Sequence, residues 1–171
     1  TENSLNVFGE SFEPLCGVKC PFCIQGARPA FFYWSLKKFP REKAVKRLTR
    51  RYPSLKELGD IKKISASKES DYGDFSRVTR VKISGSGNKS NYLRAEDLRL
   101  TLDPTGCRIK SSACQIVDTP GGISFLFGRG WGHSVGMCQY GAEVMARKGK
   151  TYRQILKYYY PGSQIEGFNE Q

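Results

Sequence analysis

Apolar residues recur along this chain at two spacings, and the alternation between them lays out the elements. Between Arg41 and Arg51, Ala44, Val45 and Leu48 fall on one face of a 3.6-residue period and the basic residues fall outside it, which predicts an amphipathic helix. Short runs rich in β-branched and aromatic residues predict strands at Phe31–Leu36, Lys62–Ala66, Val78–Ser84, Ser90–Leu93, Ala113–Asp118 and Ile123–Phe127. Further helices are expected at Ser54–Leu58, Glu96–Leu100, Met137–Lys148 and Tyr152–Tyr160. Thr119-Pro120-Gly121-Gly122 reads as a hairpin turn, and Gly85-Ser86-Gly87-Asn88 as a second turn. The expected class is α+β, a mixed or antiparallel sheet with flanking helices. No internal repeat or low-complexity linker interrupts it.

The last predicted strand runs into a loop containing Gly128, Gly130 and Gly132, with Trp131 and the only histidine, His133. Glycines at this density let a backbone take positive φ or approach another group closely. Two helices follow. The first carries Met137, Tyr140, Ala142, Val144, Met145 and Ala146, then Arg147 and Lys148, with Gly149 as its stop, an order that suits the helix dipole. Thr151 and Gln154 form a capping box for the second, which Pro161-Gly162 ends. A dinucleotide fingerprint fails in either frame, because its third glycine would fall at His133 or at Val135, and no phosphate-loop motif occurs.

The segment GRGWGHSVGMCQYGAEVMARKGKTYRQILKYYYPGSQI resembles the carboxy-terminal signature of the stage II sporulation protein D family, which includes amidase-enhancer proteins. It departs from that signature at Ser134, where glycine is usual. Weaker similarity runs upstream in the same order, through Phe31–Leu36, the helix after Pro40, Val78–Ile83 and Leu93–Leu102 to Lys110-Ser111. On this resemblance residues 1–171 form the carboxy-terminal part of such a domain. The resemblance implies an exported protein of the bacterial cell wall, in the periplasm or on the outer face of the membrane, that acts as a lytic transglycosylase on the peptidoglycan glycan strand. In that chemistry a carboxylic acid protonates the glycosidic oxygen between N-acetylmuramic acid and N-acetylglucosamine, and the substrate's own 6-hydroxyl displaces it. The family's acid is a glutamate in an E-M-P-like motif that is absent from this sequence, and Glu10 and Glu13 in SFEPL do not match it. The catalytic residue is therefore unknown and is expected on a segment outside this chain. The alternative is a non-catalytic module that binds the wall and stimulates an amidase.

Within the signature, a lone histidine is more often structural than catalytic, and the resemblance raises His133 to a substrate-contact candidate. It implies a glycan site formed by Arg129, Trp131, His133, Gln139 and Tyr140, with His133 and Gln139 hydrogen-bonding sugar hydroxyls and Trp131 or Tyr140 stacking on a pyranose. Tyr158, Tyr159 and Tyr160 are expected to brace the loop rather than touch sugar.

Composition adds bounds. With 39% hydrophobic residues in 171, one core and a single compact domain are the economical count, and no apolar run approaches a membrane span. No basic-then-apolar leader stands at Thr1, so any signal or anchor is expected to have been removed or left out. The net charge of +12 favours polyanions, and eight of the basic residues lie in Lys37–Arg51. A solvated helix face explains that run as well as contact with anionic wall polymer does. Nucleic acid is disfavoured, since no binding motif or interleaved aromatic platform accompanies the charge.

Cys16, Cys20 and Cys23 lie within eight residues. Their C-x-x-x-C-x-aromatic-C spacing resembles the cluster triad of radical S-adenosylmethionine enzymes, but too few β/α units follow to build the barrel those enzymes need. A structural zinc on Cys16, Cys20, Cys23 and Cys138 and a set of disulfides both remain open. Clustering leans toward the metal, because three neighbouring cysteines cannot all pair among themselves.

Overall fold

A computed structural model describes residues 1–166. In chain order its elements are α1 (Ser4–Phe8), α2 (Cys23–Gly26), α3 (Pro29–Phe32), β1 (Tyr33–Trp34), β2 (Lys37–Pro40), α4 (Arg41–Arg51), β3 (Lys63–Asp71), β4 (Ser76–Ser84), β5 (Ser90–Arg94), α5 (Ala95–Leu102), β6 (Gln115–Thr119), β7 (Gly122–Leu126), β8 (Gly128–Arg129), α6 (Gln139–Arg147) and α7 (Tyr152–Tyr159). The strands form three antiparallel sheets, β1-β8, β2-β7-β6 and β3-β4-β5, so the chain is α+β. No helix among the described residues is long and apolar enough to cross a membrane.

Where composition suggests one core, the chain divides into two compact units, one of residues 29–133 and one combining residues 1–28 with those from Ser134 onward. Each has its own apolar cluster.

In the unit of residues 29–133, α4 buries Ala44 and Leu48 one turn apart and leaves Lys43, Lys46 and Arg50 exposed, as its periodicity requires. The buried face of α5 follows the same rule at Ala95, Leu98, Arg99 and Leu102. These helices pack with Ile64, Val81, Ile83, Ile123 and Phe125 from the strands. The buried Arg99 is satisfied by Glu96 and by donating to the Ile109 carbonyl at 2.9 Å. Asp118 on β6 ties two sheets together: its carboxylate accepts from the Ile64 amide on β3 at 2.6 Å and from Arg41 at the start of α4.

Most of the expected strands form, with one rearrangement. Phe31–Leu36 is not one strand: α3 occupies its beginning, β1 follows, and pairing resumes in β2, with Pro40 at its end. Two lysines and a proline hide β2 from a period-two pattern, and the proline is tolerated because β2 is an edge strand. Strand β3 runs to Asp71 through polar residues, because its ladder with β4 continues past the core beyond an irregularity near Lys68.

In the other unit α6 and α7 enclose Met145, Ile155 and Tyr159. The capping box forms as expected, with the Gln154 amide donating to the Thr151 hydroxyl at 3.3 Å and the Thr151 amide to the Gln154 side chain at 3.0 Å.

The Asp118 side chain is only 2% exposed, so removing its carboxylate takes the acceptor from the Ile64 amide and the ion-pair partner from Arg41, which keeps only the Thr119 and Ile61 carbonyls at 2.9 and 3.3 Å. Asp118→Ala is expected to cost about 3 kcal/mol in urea denaturation, and a loss within experimental error would show that the carboxylate does not couple the two sheets.

Candidate functional site

The glycine loop is held mainly through its backbone. Arg129 donates its amide to the Ala113 carbonyl at 2.9 Å, Gly130 to Phe32 at 2.6 Å, and Gly132 to Lys110 at 2.8 Å. The Ser111 hydroxyl donates to the Arg129 carbonyl and accepts from the Ala113 amide at 3.2 Å. The strap at 110–113 is itself set by Asp103, whose buried carboxylate accepts from the Arg108 amide at 2.7 Å, the Ile109 amide at 2.9 Å and the Thr105 hydroxyl at 2.7 Å. Burial alone would raise that carboxyl's pKa, but these hydrogen bonds outweigh it and hold the group below the usual carboxylate value. At Gly128 a Cβ would lie 1.9 Å from the Trp34 ring, so only glycine lets β8 lie on the indole.

With its backbone engaged, the loop presents its side chains outward. Trp131 is 55% exposed, with the Lys110 ammonium 4.7 Å from its ring centroid, and His133 is exposed. The Arg129 guanidinium stands over Phe75 at 5.2 Å and Tyr33 at 5.7 Å. These three predicted contacts belong to the unit of residues 29–133, whereas Gln139 and Tyr140, both exposed at the start of α6, belong to the other. Lys110, Tyr33 and Phe75 were not evident from the sequence, since only the ladder and the strap bring them beside the loop.

Ser134 has φ of 61°, inside the left-handed region that favours glycine. That conformation accounts for the glycine usual in the resembled signature, with serine here accepting the same backbone. The Ser134 carbonyl accepts from the Glu2 amide at 2.7 Å, anchoring the amino-terminal segment to the chain after the loop.

The other cluster of chemistry lies wholly in the unit containing α6. The Sγ atoms of Cys20, Cys23 and Cys138 lie within 4.8 Å of one another, close to the separation of about 3.8 Å expected for thiolates sharing a tetrahedral ion with bonds near 2.3 Å. Cys16, expected as the fourth ligand, is not among them: it is exposed beside a turn at Gly17, and its thiol faces the Gly17 carbonyl at 3.7 Å. All six cysteines are free thiols in this structure.

Three tyrosines from α7 and its end hold the surroundings. Tyr159 places its hydroxyl 3.0 Å from Cys20, Tyr158 donates to the Lys19 carbonyl, and Tyr160 accepts the Met137 amide at 3.2 Å. Cys138 caps α6, its sulfur accepting the Gly141 amide at 3.4 Å.

Hydrogen bonds from Cys138 and Cys23, with a further one from Tyr159, hold the Cys20 thiol far below its usual pKa despite burial. Cys138 is raised by its hydrogen bonds to Cys20 and Cys23 and by burial. In Cys23 the hydrogen bond with Cys138 acts downward, but that with Cys20, burial and the Cys20 charge together push it up. Cys114, deep in the other unit's core, is pushed up to about 12 by burial and is an inert packing residue.

No family model matches the chain. It is 39% identical over 93 residues to an uncharacterised protein of Brachyspira hyodysenteriae, covering 54% of this chain and 23% of that one. It is 65% identical over 37 residues to stage II sporulation protein D of Bacillus subtilis, covering 22% of this chain and 11% of that protein. The chain is related to stage II sporulation protein D. A third match, to the amidase enhancer of Bacillus subtilis, is 49% identical over 43 residues, 25% of this chain and 6% of that protein. The chain thus spans less than a quarter of the length of each of these relatives.

A Cβ at Gly141 would come within 2.1 Å of the Tyr159 hydroxyl and 2.7 Å of the Cys20 sulfur. Gly141→Ala is expected to cost about 1–3 kcal/mol through overpacking and to raise the reactivity of Cys20 toward an alkylating reagent; unchanged stability and labelling would mean that α6 does not need this close approach.

Proposed function

We propose that this chain is the glycan-binding part of a cell-wall module of the stage II sporulation protein D type, exported to the wall and contacting peptidoglycan strands through Arg129, Trp131 and His133 of one unit and, separately, through Gln139 and Tyr140 of the other. The observation that carries the reading is the exposed Trp131 on a loop whose backbone is fastened to the 110–113 strap. Such a ring offers an apolar platform for the C–H face of a pyranose at little entropic cost, since its support is already ordered. Lys110 beside it adds a donor for hydroxyl or carboxylate groups.

Whether the module cuts the glycan depends on a carboxylic acid that the resemblance assigns to a motif these residues lack. The reading is therefore of binding by this chain, with cleavage of the glycosidic bond in a whole enzyme, and Glu10 and Glu13 carry no part of it. The amidase-enhancer relative favours a second reading, in which the same binding surface presents the wall to a separate hydrolase. The exposed basic residues of α4 contribute a salt-sensitive attraction to either.

The reading is tested by sedimenting the chain with purified peptidoglycan and analysing the supernatant by mass spectrometry. Trp131→Ala or His133→Ala is expected to weaken binding about tenfold at low and high salt, whereas Lys46→Glu with Arg50→Glu matters only at low salt, and no 1,6-anhydro ends appear. Loss of all binding at high salt would reduce the site to nonspecific charge, and anhydro ends would mean that the acid lies within this chain.

Cys20, Cys23 and Cys138 also suit a structural zinc. Bound there, the ion would join the amino-terminal segment to the cap of α6 and contribute folding free energy, with no part in the chemistry of the glycan. Elemental analysis of the purified chain should give one zinc, lost in Cys138→Ser together with thermal stability and retained in Cys16→Ser. A metal-free protein without reactive thiols after denaturation would establish disulfides instead, and iron with sulfide would establish a cluster.

A further inference from the structure

The outward face of the β3-β4-β5 sheet carries positive charge on all three of its strands. Ile64, Val81 and Ile83 turn into the core, so the residues alternating with them stand on the opposite face. The register sets Tyr92 beside Lys82 and puts Lys68 and Arg94 on either side of Arg80, while Lys63 stands opposite Ser84. Lys63, Lys68 and Arg80 are exposed and Lys82 is half-buried. Neither β4 nor β5 contains an acidic residue, and β3 has none before Glu69.

Cations opposite one another across a ladder repel and lower stability. Arg94 is relieved by Asp97, whose carboxylate accepts from its Nε at 2.6 Å. The side chains of Lys63, Arg80 and Lys82, by contrast, form no hydrogen bond or ion pair with any of the described residues. Tyr92 is 49% exposed among them. With strands about 4.8 Å apart and alternate residues about 6.8 Å apart, the charged face spans about 10 by 14 Å. A single polyanionic strand is matched by cations along a groove, whereas these spread in two directions over a pleated sheet. Anionic lipids present that pattern, with phosphates in a plane and a headgroup layer in which tyrosine is favoured. We propose that this face is a docking surface for an anionic lipid bilayer, with Lys63, Arg80 and Lys82 against the lipid phosphates and Tyr92 in the headgroup layer. The chain lies on the bilayer through this face and does not span it. The inference goes beyond the glycan reading and does not rest on it.

The test sediments the whole chain with vesicles of phosphatidylcholine, with and without about 30 mol% phosphatidylglycerol, in about 0.1 M salt. The chain is expected to bind the anionic vesicles and to stay in solution with the neutral ones. The triple variant Lys63→Gln, Arg80→Gln, Lys82→Gln should bind about a hundredfold more weakly, at roughly fivefold per cation. Its melting temperature should not fall, because the substitutions remove repulsion. Tyr92→Thr keeps a strand-favouring residue and is expected to weaken binding about threefold. The same charge removed elsewhere, in Lys38→Gln, Lys150→Gln, Lys157→Gln at exposed positions, should change binding by less than about twofold, since attraction fades within a Debye length. No preference for anionic vesicles, or equal loss from both triple variants, would reduce the effect to net charge and overturn the proposal. Capture of single-stranded DNA or poly(glycerol phosphate) by this face, with vesicles left unbound, would assign it to a linear polymer and overturn the bilayer as its partner. Vesicle binding by a chain that fails to sediment with peptidoglycan would leave this inference standing and remove the glycan reading alone.

Discussion

The exposed residues of the glycine loop depend on the way its backbone is occupied. Arg129, Gly130 and Gly132 each direct an amide to a carbonyl of a neighbouring segment, and Ser111 closes the register from the other side. A loop whose polar backbone is satisfied in this way needs no side chain for its own support. Trp131 is thereby left exposed to solvent on an ordered support. Gly128 extends the same logic by allowing the strand to lie against Trp34, where any Cβ would collide with the ring.

The second unit reaches order by different means. Its core is small, centred on Met145, Ile155 and Tyr159, and the segment around Cys20 and Cys23 has little regular structure. Hydroxyl contacts from Tyr158 and Tyr159 fasten that segment to α7, while Tyr160 takes the amide of Met137 just before the cap of α6. Three cysteines meet where those fastenings converge. A small core supplemented by a cross-link is a common solution for units that bury little apolar surface, and an ion shared by three thiolates would supply one here.

The legibility of the sequence follows the strength of local signals. Helix α4 was readable to its ends because Ala44 and Leu48 mark a face and Pro40 precedes it, and α7 because Thr151 and Gln154 announce a cap. Strand β2 was not, since Lys37 and Lys38 show no alternation and only pairing with β7 makes them a strand. The outer half of β3 is polar on both faces and is held by its partner alone. In the site, the convergence of Cys20 and Cys23 with Cys138 across more than a hundred residues was suggested by the cysteine content, but the omission of Cys16 was not, because the turn at Gly17 that carries its thiol outward leaves no mark in the spacing. The placing of Lys110 and Tyr33 beside the loop leaves no motif either, because a backbone strap and strand register bring them there.

The most direct measurement of the central claim is an isotope-edited NMR experiment on the chain mixed with soluble peptidoglycan strands in about 1 M salt, where the Debye length is near 3 Å and long-range attraction is suppressed. The account predicts nuclear Overhauser contacts between the Trp131 ring and sugar ring protons that persist in that salt. Contacts confined to lysine and arginine side chains of α4, vanishing as salt is raised, would contradict it.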